Sequence, residues 1–484
     1  MQKSLSQFSS RWGMMIAMLG MAVGTGNIWR FPRIAATNGG GSFLIPWIIF
    51  LFIWSIPLII TEFALGKAMR QGPVGAFQRL IGKKYAWMGA WVAFTATAIM
   101  FYYSVVTGWC LRFVIASVTG AIPGTEPGAF WASYEGSYSA VLTHASAILI
   151  ATFVVFRGVK GIEKASRVLI PSLVILLIVL AIRAVTLPGA ERGLNFLFTP
   201  DWNALADVQV WLQALTQNAW DTGAGWGLIV TYAVYMRAHE DTTLNAFILG
   251  FGNNSISLLA GITVLCTIFS IQPDAASSIV GAGNNGLTFI WIPQLFKQIP
   301  AGQVFMTIFF LALLFAALTS LISMVELVTR ALVDRGLNRK RAIVLVGLAG
   351  FVFGLPSALS PDFFTNQDAV WGIGLMVSGL FFAVAVIKYG LERFRNKFIN
   401  PSGDIVISRG WNVMMYVVMV EAVILLVWWL SQTISDNGLW DSLNPWSSWS
   451  LGTVIVQWAI VLTCLIIFNP YFVSENSPRI TDEH

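Results

Sequence analysis

Gly20-Met21-Ala22-Val23-Gly24-Thr25-Gly26-Asn27 interrupts the first long apolar segment of the chain. Apolar residues flank it on both sides, which places it near the middle of a membrane-spanning helix, where glycines weaken helical backbone. Amides and carbonyls freed at that depth have no lipid partner, so they are tolerated only where they line a cavity enclosed by protein. Cations and a polar ligand are the obvious groups to satisfy them. The competing explanation is a packing set, since glycines let membrane helices approach closely.

The remaining sequence supplies the membrane. Of its 484 residues 56% are hydrophobic and only 11% are charged, a balance foreign to soluble globular chains. About twelve stretches reach the roughly 20-residue spanning length. They cover 12–36, 41–69, 87–119, 140–157, 164–186, 211–237, 243–270, 304–334, 340–357, 365–390, 410–434 and 450–470. The fold class is therefore an all-α polytopic membrane protein, one transmembrane domain over 1–484. Met1 to Ser10 is short, polar and continuous with the first span, so no cleavable signal peptide is expected.

Loop charge sets the orientation. Lys67, Arg70, Arg79, Lys83 and Lys84 follow span two, and Arg157, Lys160, Lys164 and Arg167 follow span four. Arg335, Arg339, Lys340 and Arg341 follow span eight, with Lys388, Arg393, Arg395 and Lys397 after span ten. The opposite loops carry Glu126, Glu135, Asp274, Asp362, Asp436 and Asp441, so both termini should face the cytoplasm across an inner (plasma) membrane. The formal charge of +6 belongs to these loops and gives no reason to expect nucleic acid. Trp440, Trp446 and Trp449 suit an outer aromatic belt. Cys110, Cys266 and Cys464 all fall within apolar spans and imply neither a disulfide framework nor a metal site. His144, His239 and His484 are scattered and form no dyad.

Span six repeats the oddity of span one. Its centre reads Trp220-Asp221-Thr222-Gly223-Ala224-Gly225-Trp226-Gly227. Two glycine-interrupted helices five spans apart point to a transporter built from an inverted repeat with its site between the breaks. The halves would be 12–186 and 211–390, with 410–470 added. An aspartate at mid-depth costs about 2.5 kcal/mol or more unless paired or bound to a cation, which makes Asp221 a functional candidate; the bland alternative is a hydrogen-bonding partner for a neighbouring helix. Asn253, Asn254, Ser255 and Ser257 on span seven and Thr319, Ser320 and Ser323 on span eight add oxygen ligands suited to a hard cation such as sodium. A single hydroxyl would ordinarily bond its own helix backbone. Glu62, Glu326 and Glu421 are expected as helix-packing or loop-bracing groups.

Arg11, the run Gly20 to Pro32, and Asn38-Gly-Gly-Gly-Ser-Phe-Leu-Ile-Pro46 together resemble the neurotransmitter:sodium symporters. The resemblance covers the first ten spans and implies the LeuT fold, a 5+5 inverted repeat with helices 1 and 6 unwound, working by alternating access. It implies one sodium site (site 2) from Gly20, Val23, Ala316, Thr319 and Ser320, and another (site 1) from Ala22, Asn27, Asp221 and Asn253. The substrate carboxylate would meet the amides of Thr25 and Gly26 and the hydroxyl of Tyr103, and its ammonium would meet carbonyls near Ala22, Trp220 and Asp221. Met21, Ile99, Trp220, Gly223, Trp226, Ser320 and Met324 would surround the side chain. Arg30 and Asp368 match an outer ionic gate above the lid formed by Tyr103 and Trp220. Asp334 matches the acid of an inner gate.

Departures from the family pattern shape the remaining expectations. Where chloride-requiring relatives hold the anion, this chain has Trp47, Gln217, Asp221, Ser257 and Asn253, losing a tyrosine hydroxyl and gaining a carboxylate; transport is expected not to need chloride. The same acid could instead carry a proton. Gly24 replaces the aspartate of monoamine carriers, which favours amino acids. Trp220 and Trp226 argue for a small one such as glycine or alanine, which is the expectation here; Gly223 opens space and makes a larger apolar one the alternative. The arginine that partners the inner acid in relatives is missing, with Leu5 in its place and Lys3 nearby, and Phe8 stands for a tryptophan. The expected partners are an amino-acid substrate, sodium ions at two sites and the lipid bilayer, with the chain as a monomer or loose dimer. A channel would need a filter or pore ring, and an intramembrane enzyme would need paired carboxylates or a nucleophile with its base; neither is visible. A sodium-independent or proton-coupled amine or amino-acid exchanger on the same fold is the closest rival.

Overall fold

The structure, a computed structural model, describes residues 7–473. Among these, nine helices are long and apolar enough to cross a membrane, and Leu451–Ile467 is a shorter apolar one. No strand occurs among the described residues. The helices follow the expected spans closely, for example Thr242–Ile271 for 243–270 and Gly302–Asp334 for 304–334. The largest shifts are at the starts of Gly158–Val185 and Pro361–Tyr389. Spans one and six do not qualify as continuous helices because both are broken where the glycine runs fall.

Span one begins at Arg11, with the Ser10 hydroxyl accepting the Gly13 amide at 3.0 Å, and its first helix ends at Ala22. Val23 is extended (φ −72°, ψ 112°). The chain then re-enters helix through a wide turn over Gly26–Arg30, in which the Phe31 amide reaches back five residues to the Gly26 carbonyl. Such wide turns often mark functional sites within helices. Phe31–Thr37 completes the span.

Span six breaks differently. Val208–Asp221 is helical, Gly223, Gly225 and Gly227 take φ of +71°, +84° and +76°, and Leu228–Ala233 resumes the helix. Left-handed backbone is open to glycine and costly for residues with a Cβ. Span two fastens both ends of the resumed half. Buried Glu62 accepts the amides of Gly225 at 2.6 Å and Val230 at 3.4 Å, placing a carboxylate at the helix N-terminus where the backbone dipole favours it. At the other end the Arg70 guanidinium donates to the Val234 carbonyl at 3.0 Å and also to that of Met236. Glu62 is thus a loop-bracing group. Glu421 braces nothing among the described residues: it is buried in span eleven with neither carboxyl oxygen hydrogen-bonded.

The unbroken helices frame these breaks. Buried His144 of span four faces the Ser104 hydroxyl of span three at 3.0 Å and the Phe351 carbonyl of span nine at 3.1 Å. The described start of the chain is tied down. Phe8 is buried against the rings of Tyr232 and Tyr235, with centroids at 6.2 and 6.3 Å, and its amide donates to the Tyr235 carbonyl. Ser9 donates its amide to Glu163 at 3.0 Å, and Glu163 pairs with Arg167. Glu326 takes the Tyr235 hydroxyl at 2.5 Å and is forked by Arg339 at 2.9 and 2.5 Å. This end of the bundle is shut by aromatic packing and paired charge.

The span-six break gives a direct stability test. A Cβ at Gly225 would lie 3.0 Å from the Gly379 Cα on backbone already at positive φ. Gly225→Ala is expected to destabilise the protein by about 1–3 kcal/mol, seen as a lower thermal midpoint in detergent.

Candidate functional site

The two breaks face each other across a cavity of about 110 Å³. The first break contributes Met21, Ala22, Thr25 and Gly26, and span three contributes Ile99 and Tyr103. Span six adds Trp220, Asp221, Gly223 and Trp226, and span eight adds Ser320 and Met324. Every residue expected to touch substrate lines this one space. Tyr102, Leu228, Phe364, Asn284 and Asn285 line it too, and sequence reasoning missed them. The glycine-flanked Asn284-Asn285 pair in the loop after span seven carried a turn signal, but nothing in it indicated that the loop folds back over the site.

Glycine permits the close approaches here. A Cβ at Gly24 would lie 3.0 Å from the Tyr103 hydroxyl and 3.1 Å from the Ser320 hydroxyl, and one at Gly26 would lie 2.9 Å from Asp221 Oδ1. The Thr25 amide donates to the Tyr103 hydroxyl at 3.1 Å. An amide at a helix break with a phenol beside it, both able to turn to a ligand, is chemistry suited to a carboxylate.

Beside this pair runs a buried polar chain. Asn27 Nδ2 donates to Asn253 Oδ1 at 3.0 Å and to the Ser257 hydroxyl at 2.8 Å, and that hydroxyl donates to Asp221 Oδ2 at 2.8 Å. Asn27 Oδ1 in turn accepts the Gly24 amide at 2.8 Å. Asp221 is 3% exposed, yet its Oδ1 receives no hydrogen bond. An uncompensated buried carboxylate oxygen is expensive in a low-dielectric interior, and an oxygen-rich wall around it suits a small hard cation. The site-1 residues Asn27, Asp221 and Asn253 are therefore joined in one network, with Ala22 in the same cavity wall.

The site-2 residues also converge. The Ser320 hydroxyl crosses from span eight to donate to the Val23 carbonyl at 3.0 Å. Thr319 instead bonds the carbonyls of Phe315 and Ala316 on its own helix, each at 3.0 Å. Its Cβ lies 3.2 Å from where a Gly20 Cβ would stand. Neighbouring hydroxyls thus behave oppositely, and only the position of span one decides which one crosses.

The expected gate residues have local partners. Arg30 and Asp368 line the cavity and also a wider outer vestibule of about 720 Å³, but they form no ion pair. Arg30 donates instead to Gln217 Oε1 at 2.5 Å and lies over the Trp220 ring at 5.6 Å. A neutral amide on the same half of span six has taken the guanidinium. Asp334 is likewise occupied: it pairs with Arg330 at 2.5 Å and accepts the Gly72 amide at 2.7 Å. Lys3 and Leu5 lie outside the described residues.

The profile of the sodium:neurotransmitter symporter family matches residues 6–141 and 134–474. The chain belongs to that family. Among family members, a sodium-dependent transporter of Methanocaldococcus jannaschii is 33% identical, covering 85% of this chain and 87% of its own length. The sodium-dependent transporter YhdH of Bacillus subtilis is 32% identical over 73% of this chain and 78% of its own. The solved structure of MhsT in complex with L-phenylalanine superposes with a TM-score of 0.76 at 28% identity, over 88% of this chain and 99% of that one. As a member of this symporter family the chain is a membrane transporter and not an enzyme.

The crossing hydroxyl is the simplest probe of the site-2 cluster. Ser320→Ala removes one hydrogen bond worth about 0.5–1.5 kcal/mol together with an oxygen at the cluster. Apparent sodium affinity, read from sodium-dependent thermal stabilisation, is expected to fall about tenfold with the fold intact.

Proposed function

We propose that the protein is a sodium-coupled symporter importing a neutral, apolar amino acid without need of chloride. The observation that carries this reading is the pairing, in one cavity, of a carboxylate cradle at Thr25, Gly26 and Tyr103 with the donor-free Asp221 Oδ1. The first suits the carboxylate every amino acid brings, and Gly24 adds no acid of its own. The second suits a sodium ion that the substrate carboxylate would help to ligate, so that ion and substrate stabilise each other. Gly20, Val23, Ala316, Thr319 and Ser320 would hold a second ion tying span one to span eight.

Substrate size follows from space. The cavity of about 110 Å³ is walled by Met21, Ile99, Trp226 and Met324, which supports an apolar side chain larger than that of glycine. Met21 and Met324 are adaptable walls for such a side chain, and MhsT was solved with L-phenylalanine. This favours the larger apolar amino acid, the alternative of the sequence reading, over the small one it expected. Chloride independence rests on Asp221: a fixed carboxylate near a bound chloride would repel it by several kcal/mol at low effective dielectric. Trp47, where chloride-requiring relatives carry tyrosine, offers no hydroxyl and packs on Phe31 at 4.6 Å.

In the cycle, sodium entering from outside would order the two breaks and favour substrate entry. Tyr103 and Trp220, the latter already against span ten, would form the lid above it, and Arg30 would seal that lid by exchanging Gln217 for Asp368. Release of the ion at Gly20, Val23, Thr319 and Ser320 would free the inner half of span one. The two halves of the chain, 12–186 and 211–390, would move as related, oppositely oriented units in an inner membrane with both termini cytoplasmic.

Uptake into proteoliposomes tests this. L-Leucine or L-phenylalanine uptake is expected to vanish when choline replaces sodium and to stay within twofold when gluconate replaces chloride. Asp221→Ser should lose at least tenfold in gluconate and recover in chloride. A strict chloride requirement in the unaltered protein overturns the reading of Asp221, and sodium-independent uptake overturns the coupling.

A further inference from the structure

The Trp220 indole stands at the last turn of the outer half of span six and lines both the cavity and the vestibule. It is held on three sides. The Arg30 guanidinium lies over it at 5.6 Å, and the Trp226 ring meets it edge-on at 6.2 Å with planes at 72°. The third side is span ten, at Gly372. A Cβ there would fall 2.0 Å from Trp220 Cζ2, 2.4 Å from Cη2 and 3.2 Å from Cε2. The benzo edge of the indole therefore occupies the space in which any other residue would carry its side chain.

Gly372 sits inside the helix Pro361–Tyr389, and its φ is not in the left-handed region. The local backbone gives no reason for glycine, which weakens helices. Gly374 and Gly379 of the same helix meet their neighbours at 3.2 Å, on Thr95 and Trp54, so neither shows an overlap of this size. Asp368 lies one turn before Gly372, and residues four apart share a helix face. That face offers Arg30 an acid and Trp220 a gap.

We propose that Gly372 is a positioning residue: it is the socket that seats the Trp220 lid, so closure over the substrate requires that position 372 carry no side chain. The proposal rests on reading Trp220 as the lid of the substrate site. An indole is a rigid bicycle turned by two torsions, so a Cβ at 372 cannot be absorbed by bending the ring. The whole lid must leave its seat, and its neighbours on the other sides are Arg30 and Trp226.

The test is a double-mutant cycle in the full-length protein. With L-leucine and L-phenylalanine as probes in sodium, Gly372→Ala is expected to raise Kd at least tenfold, mainly through faster dissociation. Sodium-dependent thermal stabilisation without amino acid should change less than twofold. In a Trp220→Phe background, which lacks the colliding benzo atoms, adding Gly372→Ala should change Kd less than twofold. Equal losses in both backgrounds, or no loss from Gly372→Ala, overturn the socket. If Gly372→Ala alone does not fold, recovery of the double variant supports the socket and failure of both overturns it.

A second readout needs no substrate. In a Cys464→Ser background, Ile99→Cys lies in the cavity wall beneath the lid, and Gly372→Ala should speed its labelling by a membrane-impermeant maleimide severalfold. Unchanged labelling overturns the socket. Failure of the unaltered protein to bind either amino acid in sodium would overturn the proposed substrate class while leaving this labelling test decisive for the lid.

Discussion

Backbone that leaves a helix in the middle of a membrane must be satisfied by protein, and the site is built from the ways this chain does so. In span one the freed carbonyl of Val23 takes the Ser320 hydroxyl and the freed amide of Gly24 takes the Asn27 side chain. In span six the amides of Gly225 and Val230 take Glu62, and the far end of the half-helix takes Arg70. Each repair draws on another helix or turns a side chain back on its own break. The breaks are therefore pinned from outside themselves, and what remains unsatisfied between them is available to ligands.

Glycine serves the two breaks for different physical reasons. Gly223, Gly225 and Gly227 are needed for the sign of φ. Gly24 and Gly26 have ordinary φ and are needed because a phenol, a hydroxyl and a carboxylate come within about 3 Å of where a Cβ would be. The packing explanation and the broken-helix explanation of the Gly20–Asn27 run are thus both true of it. The chain breaks at Val23, and its glycines then let other groups approach the broken ends.

The spans, the breaks and the cavity-facing residues were legible because each depends on local pattern: apolar length for the helices, glycine clusters for the breaks, and a motif for the cavity wall. Partner choice was not legible. Whether Ser320 bonds its own helix or span one, whether Arg30 meets Asp368 or Gln217, and whether Asp334 waits for the chain end or pairs with Arg330 all depend on tertiary distances of an ångström or two. Gly372 left no local signal at all, since its reason is a ring from another helix. Glu62 was visible as a buried acid, but its partners are backbone amides, which carry no sequence.

The distribution of satisfied and unsatisfied charge indicates which end is built to move. At the end where the described chain begins, Glu163, Glu326 and Asp334 all have cationic partners, and Phe8 is sealed by two tyrosines. Toward the opposite end Arg30 rests on a neutral amide, Asp368 has no ion pair among the described residues, and Asp221 keeps one oxygen without a donor. Bringing Arg30 to Asp368 would replace a hydrogen bond from the guanidinium to a neutral amide with an ion pair in which the acceptor is charged as well, a pairing that can be bidentate. It would also free Gln217, which shares the last turns of the outer half of span six with Asp221 and Trp220. The same movement that closes the gate therefore alters the surroundings of the carboxylate and of the lid, and a cation at Asp221 would be bound to that movement through one short helix.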